Sequence, residues 1–135
     1  MNVKPFLDTN ILVYAVVPED HRSTAARDLI ANGGVVSVQV FNEFVNVARR
    51  KLRRDWTQIE GALNLLRRLL DPPIPLTTDL HESAIALARE HRLAFYDALI
   101  VAAASRANCA VLFTEDMQDG KRMGALTIRN PFLAA

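Results

Sequence analysis

Residues 95–114, FYDALIVAAASRANCAVLFT, leave a chain few ways to fold. After Asp97 the first part is apolar on nearly every side at helical spacing, and a helix without a polar face has to be covered all round. Ala102, Ala103 and Ala104 permit close approach of a neighbour. The run that follows, AVLFT, shows no alternation of apolar and polar residues, so both faces of that strand are expected to be buried, as inside a parallel sheet. A buried helix beside a doubly buried strand requires layers on both sides of a sheet.

The remaining segments supply such layers. Val3 to Leu7 reads as a first strand, followed by a helix from Ile11 to Val16 that Asn10 caps and Pro18 ends. Asp20 is expected to cap a second helix, with Ala25, Ala26, Leu29 and Ile30 inward and Asn32-Gly33-Gly34 as its stop. VVSVQVFNEFVNVARRKL starts as a short β-branched run and turns helical after Ser37, because Phe41, Phe44, Val45, Ala48 and Leu52 recur at helical intervals. Further helices are expected over Trp56 to Leu70 and Asp79 to His91, the latter opened by a capping box of Asp79 and Glu82. IPLT and ALTIRN read as short strands and EDMQDGKRMG as a polar loop. Strands and helices alternate, with no repeat or linker. The expected fold is α/β, a three-layer α/β/α sandwich with a short, mainly parallel central sheet, as one domain over residues 1–135.

Half of the 135 residues are hydrophobic, enough for one core, yet no uncharged apolar run approaches the ~18 residues of a membrane helix. Cys109 is the only cysteine, which excludes an internal disulfide and a cysteine metal cluster and fits a reducing, cytoplasmic setting. The glycines match neither GxGxxG nor a P-loop, and the three histidines lack HExxH spacing, so nucleotide-cofactor and zinc-protease chemistries are disfavoured. The net charge of +1 conceals segregation: residues 49–68 hold seven Lys/Arg against Asp55 and Glu60, a local +5 that leaves −4 for the rest. A basic segment on an otherwise acidic molecule suits contact with an anionic polymer on one side and cations on another.

The acids carry the chemistry. Asp8 follows the first strand and Asp116 follows AVLFT, so both fall at the carboxyl edge of a parallel sheet, where ligands bind in such folds. Asp97 opens the buried helix and faces the same end. Each also has a structural reading: Asp8 or Asp97 as a helix cap, Asp116 as a loop residue, and Glu43 as a surface glutamate opposite the apolar stripe of its helix. Asp20, Asp28, Glu19 and Glu90 read as caps or solvated faces. Two carboxylates ~5 Å apart repel by roughly 3 kcal/mol at an effective dielectric of ~20, so gathering several calls for a cation or raised pKa values. Oxygen donors of this kind suit Mg²⁺ or Mn²⁺.

FLDTNILVYA, SVQVFNEFVNVARR, FYDALIVAAA and LFTEDMQDG together resemble the successive motifs of a PIN domain, in order and approximate spacing, over nearly the whole chain. The compact length is similar to the toxins of VapBC toxin–antitoxin pairs, which are PIN-domain ribonucleases. Carried over by position, the resemblance makes Asp8, Glu43, Asp97 and Asp116 the catalytic and metal-binding carboxylates, with Glu115 and Asp119 as rivals of Asp116 in the same loop. Thr9, Asn10 and Thr114 match small polar positions beside them. It implies a Mg²⁺- or Mn²⁺-dependent endoribonuclease, with RNA as substrate, a small VapB-like antitoxin as partner, and a homodimer. RRKLRR then acquires a role in phosphate contact, through Arg50, Arg53 and Arg54. A housekeeping PIN or flap-like nuclease and a non-catalytic nucleic-acid-binding domain are the alternatives; an aspartyl phosphatase is disfavoured because Asn10 stands where its second acid belongs.

Overall fold

The structure, a computed structural model, describes residues 3–18 and 20–133, so the reading of Glu19 lies outside the described residues. Among these, four strands and six helices follow in the order β1 (Phe6–Leu7), α1 (Thr9–Val16), α2 (Ser23–Ala31), α3 (Val38–Arg50), α4 (Trp56–Leu69), α5 (Thr78–His91), α6 (Phe95–Arg106), β2 (Val111–Phe113), β3 (Arg122–Met123) and β4 (Leu126–Arg129). The sheet order is β1-β2-β4-β3. β1 pairs with β2 and β2 with β4 in parallel, while β3 runs antiparallel to β4 at the edge. The architecture is the three-layer α/β/α sandwich expected from the sequence.

Local chemistry accounts for where the elements start. β1 is shorter than the expected Val3 to Leu7 because Pro5 has no N–H to give a ladder; its carbonyl instead accepts from the Val35 amide at 2.9 Å. Val35 thereby forms a single parallel bridge with Phe6. Asp8, not Asn10, caps α1: its backbone is extended and its side chain accepts the Thr9 amide at 2.7 Å. α2 starts at Ser23 without a side-chain cap, and Asp20 takes the amide and guanidinium of Arg22 instead. The capping box lies at Asp55 and Gln58 of α4, whereas Thr77 caps α5, so the expected pairing of Asp79 with Glu82 is replaced. IPLT does not form a strand: between Pro73 and Pro75, Ile74 makes only one bridge, to Ser37. The loop 115–124 contains the two-residue strand β3, too short to show alternation.

The core matches the apolar run of α6, whereas β2 is fully buried only at Leu112, with Val111 and Phe113 half-buried, so one face of that strand is less covered than expected. Ala98 to Ala104 of α6 are all buried, α5 packs along that helix, and Phe6, Leu7, Leu112 and Ile128 are fully buried across three strands. Gly34 marks the closest backbone approach beside this core. A Cβ there would stand 3.0 Å from the buried Leu7 side chain and 3.1 Å from the Pro5 carbonyl, so the residue preceding Asp8 is seated against bare backbone.

Candidate active site

The pairing register builds the centre of the site. Leu7 lies opposite Phe113, so the next residues, Asp8 and Thr114, leave the C-terminal edge of the sheet side by side, although 106 positions separate them. The Thr114 hydroxyl donates to one Asp8 oxygen at 2.8 Å and the Thr9 amide donates to the other at 2.7 Å. Asp8 is only 4% exposed, and burial pushes its carboxyl up to about 6 against the pull of these two hydrogen bonds, with Asp116 and Asp97 adding repulsion.

The acids of the loop after β2 separate into different environments. Glu115 accepts from the Tyr14 hydroxyl and, through its two oxygens at 3.0 and 2.9 Å, from Arg22 Nη1. Arg22 lies 4.0 Å over the Tyr14 ring and also pairs with Asp20. Burial raises the Glu115 carboxyl, but the Tyr14 and Arg22 contacts outweigh it and the net shift is downward. Asp119 accepts the Asn130 amide at 2.8 Å. Asp116 instead meets the Asn10 carboxamide, whose Nδ2 donates to it at 3.0 Å and to Thr114 at 3.2 Å while its Oδ1 accepts the Glu115 amide at 3.2 Å. Of the three acids in this loop, Asp116 is the one that shares a network with Asp8.

Glu43 and Asp97 complete the cluster from α3 and α6. Glu43 is half-buried, accepts a hydrogen bond from Gln39 Nε2 at 3.3 Å, and is pushed up to about 7 by burial, then by Asp8, Asp97 and Asp116. Asp97 sits in the first turn of α6, whose N-cap is Ala94; its carboxyl is raised by burial and by Asp116. The four acids from four segments thus lie within one another's fields. All donors here are oxygen, and the Thr9 hydroxyl is a further one, buried without a partner among the described residues. Among the described residues no three acids, histidines or cysteines stand close enough together to hold an ion by themselves. Oxygen donors of this kind suit Mg²⁺, which keeps several of its waters and touches one or two carboxylates.

A cavity of about 540 Å³ opens beside Glu43 and Asp116 between α1 and α3, and Lys51 lines it together with Tyr14 and Val47. Lys51 lies eight residues beyond Glu43 on the same helix, ~12 Å along its axis. Sequence reasoning singled out Arg50, Arg53 and Arg54 and passed over Lys51, although spacings of four from Glu43 through Val47 to Lys51 were there to read. Arg50 and Arg53 are exposed. Arg54 is turned to the fold: its guanidinium donates to the Val16 carbonyl at 3.4 Å, while Arg49 donates to the Arg54 carbonyl and lies 5.0 Å over Trp56.

A small, mainly parallel sheet that collects four carboxylates at its C-terminal edge defines an α/β domain with an acidic site. The sequence model of the PIN domain matches residues 6–122, and the chain belongs to that family. Among solved structures, a toxin–antitoxin complex from Klebsiella pneumoniae is similar at 22% identity and a TM-score of 0.68, covering 95% of this chain and 98% of that one. A VapC toxin of Mycobacterium tuberculosis described as cleaving the sarcin-ricin loop aligns at 23% identity and 0.66, over 82% and 90%. A VapBC complex of Rickettsia felis bound to a promoter DNA fragment aligns at 22% and 0.67, over 93% and 96%. These likenesses carry the fold. None of the curated proteins compared matches the chain.

Proposed function

We propose that this chain is a Mg²⁺- or Mn²⁺-dependent endoribonuclease, a single PIN domain acting in the cytoplasm as the toxin of a type II toxin–antitoxin pair. The observation that carries the reading is the convergence of Asp8, Glu43, Asp97 and Asp116, from four segments, on one sheet edge, where burial and neighbouring acids raise the carboxyls of Asp8, Glu43 and Asp97. Membership of the PIN family supports nuclease chemistry, and the solved toxin–antitoxin complexes of like fold support the toxin role. On the same grounds the partners are a small VapB-like antitoxin and a second copy of this chain.

In this mechanism Asp8, Asp97 and Asp116 would hold the ion, Asp8 being fixed by Thr9 and Thr114 and Asp116 by Asn10. A bound Mg²⁺ or Mn²⁺ would polarise the phosphoryl oxygens and offset the charge that grows on them. Glu43, at about 7 and oriented by Gln39, is matched to take a proton from the attacking water near neutral pH. Thr9 and Thr114 keep the neighbouring wall polar. Purified protein should cleave RNA in millimolar Mg²⁺ or Mn²⁺ and lose that activity in EDTA; cleavage undiminished by EDTA would end the reading.

Phosphate contact falls to Lys51, Arg50 and Arg53, since Arg54 holds α1. Replacing those three with Ala should flatten the log–log salt dependence of RNA binding by about 2, at roughly 0.7 per phosphate contact on a single strand. An unchanged slope in fluorescence anisotropy would return these cations to solvent.

A further inference from the structure

Next to the acids, α3 carries a second polar line. Gln39, Asn42, Glu43 and Asn46 recur at i, i+3, i+4 and i+7, which places them on one face of the helix. With Tyr96 they line a cavity of about 400 Å³. Glu43 and Asn46 also line the larger cavity that Lys51 lines, so the two hollows adjoin along this face of α3.

The chemistry of this lining is selective. Tyr96 is 64% exposed and directly precedes Asp97; its ring meets Phe95 edge-on at 5.9 Å, and Phe95 meets His81 edge-on at 5.4 Å. The ring is thus braced from one side. Gln39 is buried and committed to Glu43. Asn42 and Asn46 are exposed, and among the described residues no hydrogen bond engages either carboxamide, unlike that of Asn10. Each therefore presents an acceptor beside two donors. An aromatic platform flanked by carboxamides suits an unpaired base, stacked on the ring and bonded along its edge. An apolar antitoxin segment would find little here to bury.

We propose that the groove between Tyr96 and the Asn42–Asn46 face of α3 is a subsite for one unpaired nucleobase adjoining the scissile phosphate. Tyr96 stacks the base and the two carboxamides read its edge. Adenine fits best, because its amino group donates one hydrogen beside N1 and the other beside N7, so both carboxamides can pair with it at once, whereas cytosine and uracil can each pair bidentately with one. The inference rests on the proposed ribonuclease activity and supplies a base preference that four carboxylates cannot give.

Binding measurements test it without turnover. Asp8→Asn protein in EDTA is titrated with short single-stranded oligomers of A, C or U, and the groove variants are made in that background. Tyr96→Ala should weaken binding about ten-fold to a hundred-fold, the range found for losing one stacked base. Tyr96→Phe should stay within about two-fold, since the ring persists. Asn42→Ala/Asn46→Ala should level the three affinities, which in the parent should favour A. Tyr96→Ala binding every oligomer as the parent does would overturn the subsite and leave the groove to a protein partner. Equal affinities in the parent, or a ranking that survives the double substitution, would overturn edge reading. Absence of ion-dependent cleavage alongside Tyr96-dependent binding would instead remove the nuclease reading and keep the subsite.

Discussion

Asp97→Asn should reduce RNA cleavage by at least about 100-fold, the order of loss when one preorganised group is removed from a charge-stabilising site. The circular dichroism spectrum should be unchanged. The competing structural role is absent, because α6 is capped at Ala94 without a side-chain bond and Asp97 lies three residues inside the helix. There it gains at most ~0.3–1 kcal/mol from the helix dipole. Burial and Asp116 work against that gain by raising its carboxyl. A charge kept where its surroundings oppose it is what the proposed ion site requires. Full activity in Asp97→Asn would remove Asp97 from the ion site.

Glu43→Gln should lose activity to a similar degree and for a separable reason. In the wild type, activity should climb as the pH rises through about 6 to 7, where Asp8 and Glu43 give up their protons. Protons and the ion compete for the same oxygens, so raising Mg²⁺ should move the Asp8 part of that limb to lower pH. A Glu43→Gln protein that keeps both rate and pH limb would send Glu43 back to a surface role.

The fold was legible because its strongest constraints are local. A helix with no polar face and a strand with no alternation admit few arrangements, and residues 95–114 hold both. What escaped was set by partners distant in sequence. Asn10 and Asp8 are both good caps on paper; Asp8 wins because the pairing of Leu7 with Phe113 turns the chain there and starts the helix one residue on. Thr77 displaced Asp79 as a cap because the helix starts at Thr78, with Thr77 extended and its hydroxyl accepting the Leu80 amide, which leaves Asp79 inside the first turn. At the site, Asp8 and Asp116 could be placed by strand ends alone, whereas Glu43 sat opposite its helix's apolar stripe and was supported only by resemblance. The polar line of Gln39, Asn42, Glu43 and Asn46 was visible, but its meaning required knowing that Tyr96 and Asp97 lie across from it. Asp116 was preferred over Glu115 and Asp119 by resemblance alone; the contacts that engage the other two, from Arg22 and the Asn130 amide, could not be read from the sequence.

Metal-free Asp8→Asn protein should melt above the wild type near pH 8, and the difference should vanish or reverse near pH 5. A carboxyl raised from 3.8 to about 6 on folding holds its proton more tightly in the folded state. Its contribution to stability is therefore complete below about pH 4 and is lost as the pH rises through about 6. Two units correspond to roughly 3 kcal/mol at alkaline pH, against which stand the bonds that the introduced carboxamide would disturb. Asn serves as well as Asp in capping the Thr9 amide, so that bond persists. The loss is at Thr114, whose oxygen already receives Asn10 Nδ2 and the Asp116 amide and has no lone pair to spare for a third donor. A disturbed hydrogen bond costs ~1–2 kcal/mol at any pH, so repulsion dominates only where Asp8 is ionised. Added Mg²⁺ should stabilise the wild type by RT ln(1 + [L]/Kd) and the variant much less, closing the gap at pH 8. Melting curves at both pH values, in EDTA and in millimolar Mg²⁺, separate the cases: a variant less stable at every pH, with an undiminished response to the ion, would make Asp8 a structural cap and leave the ion to its three neighbours.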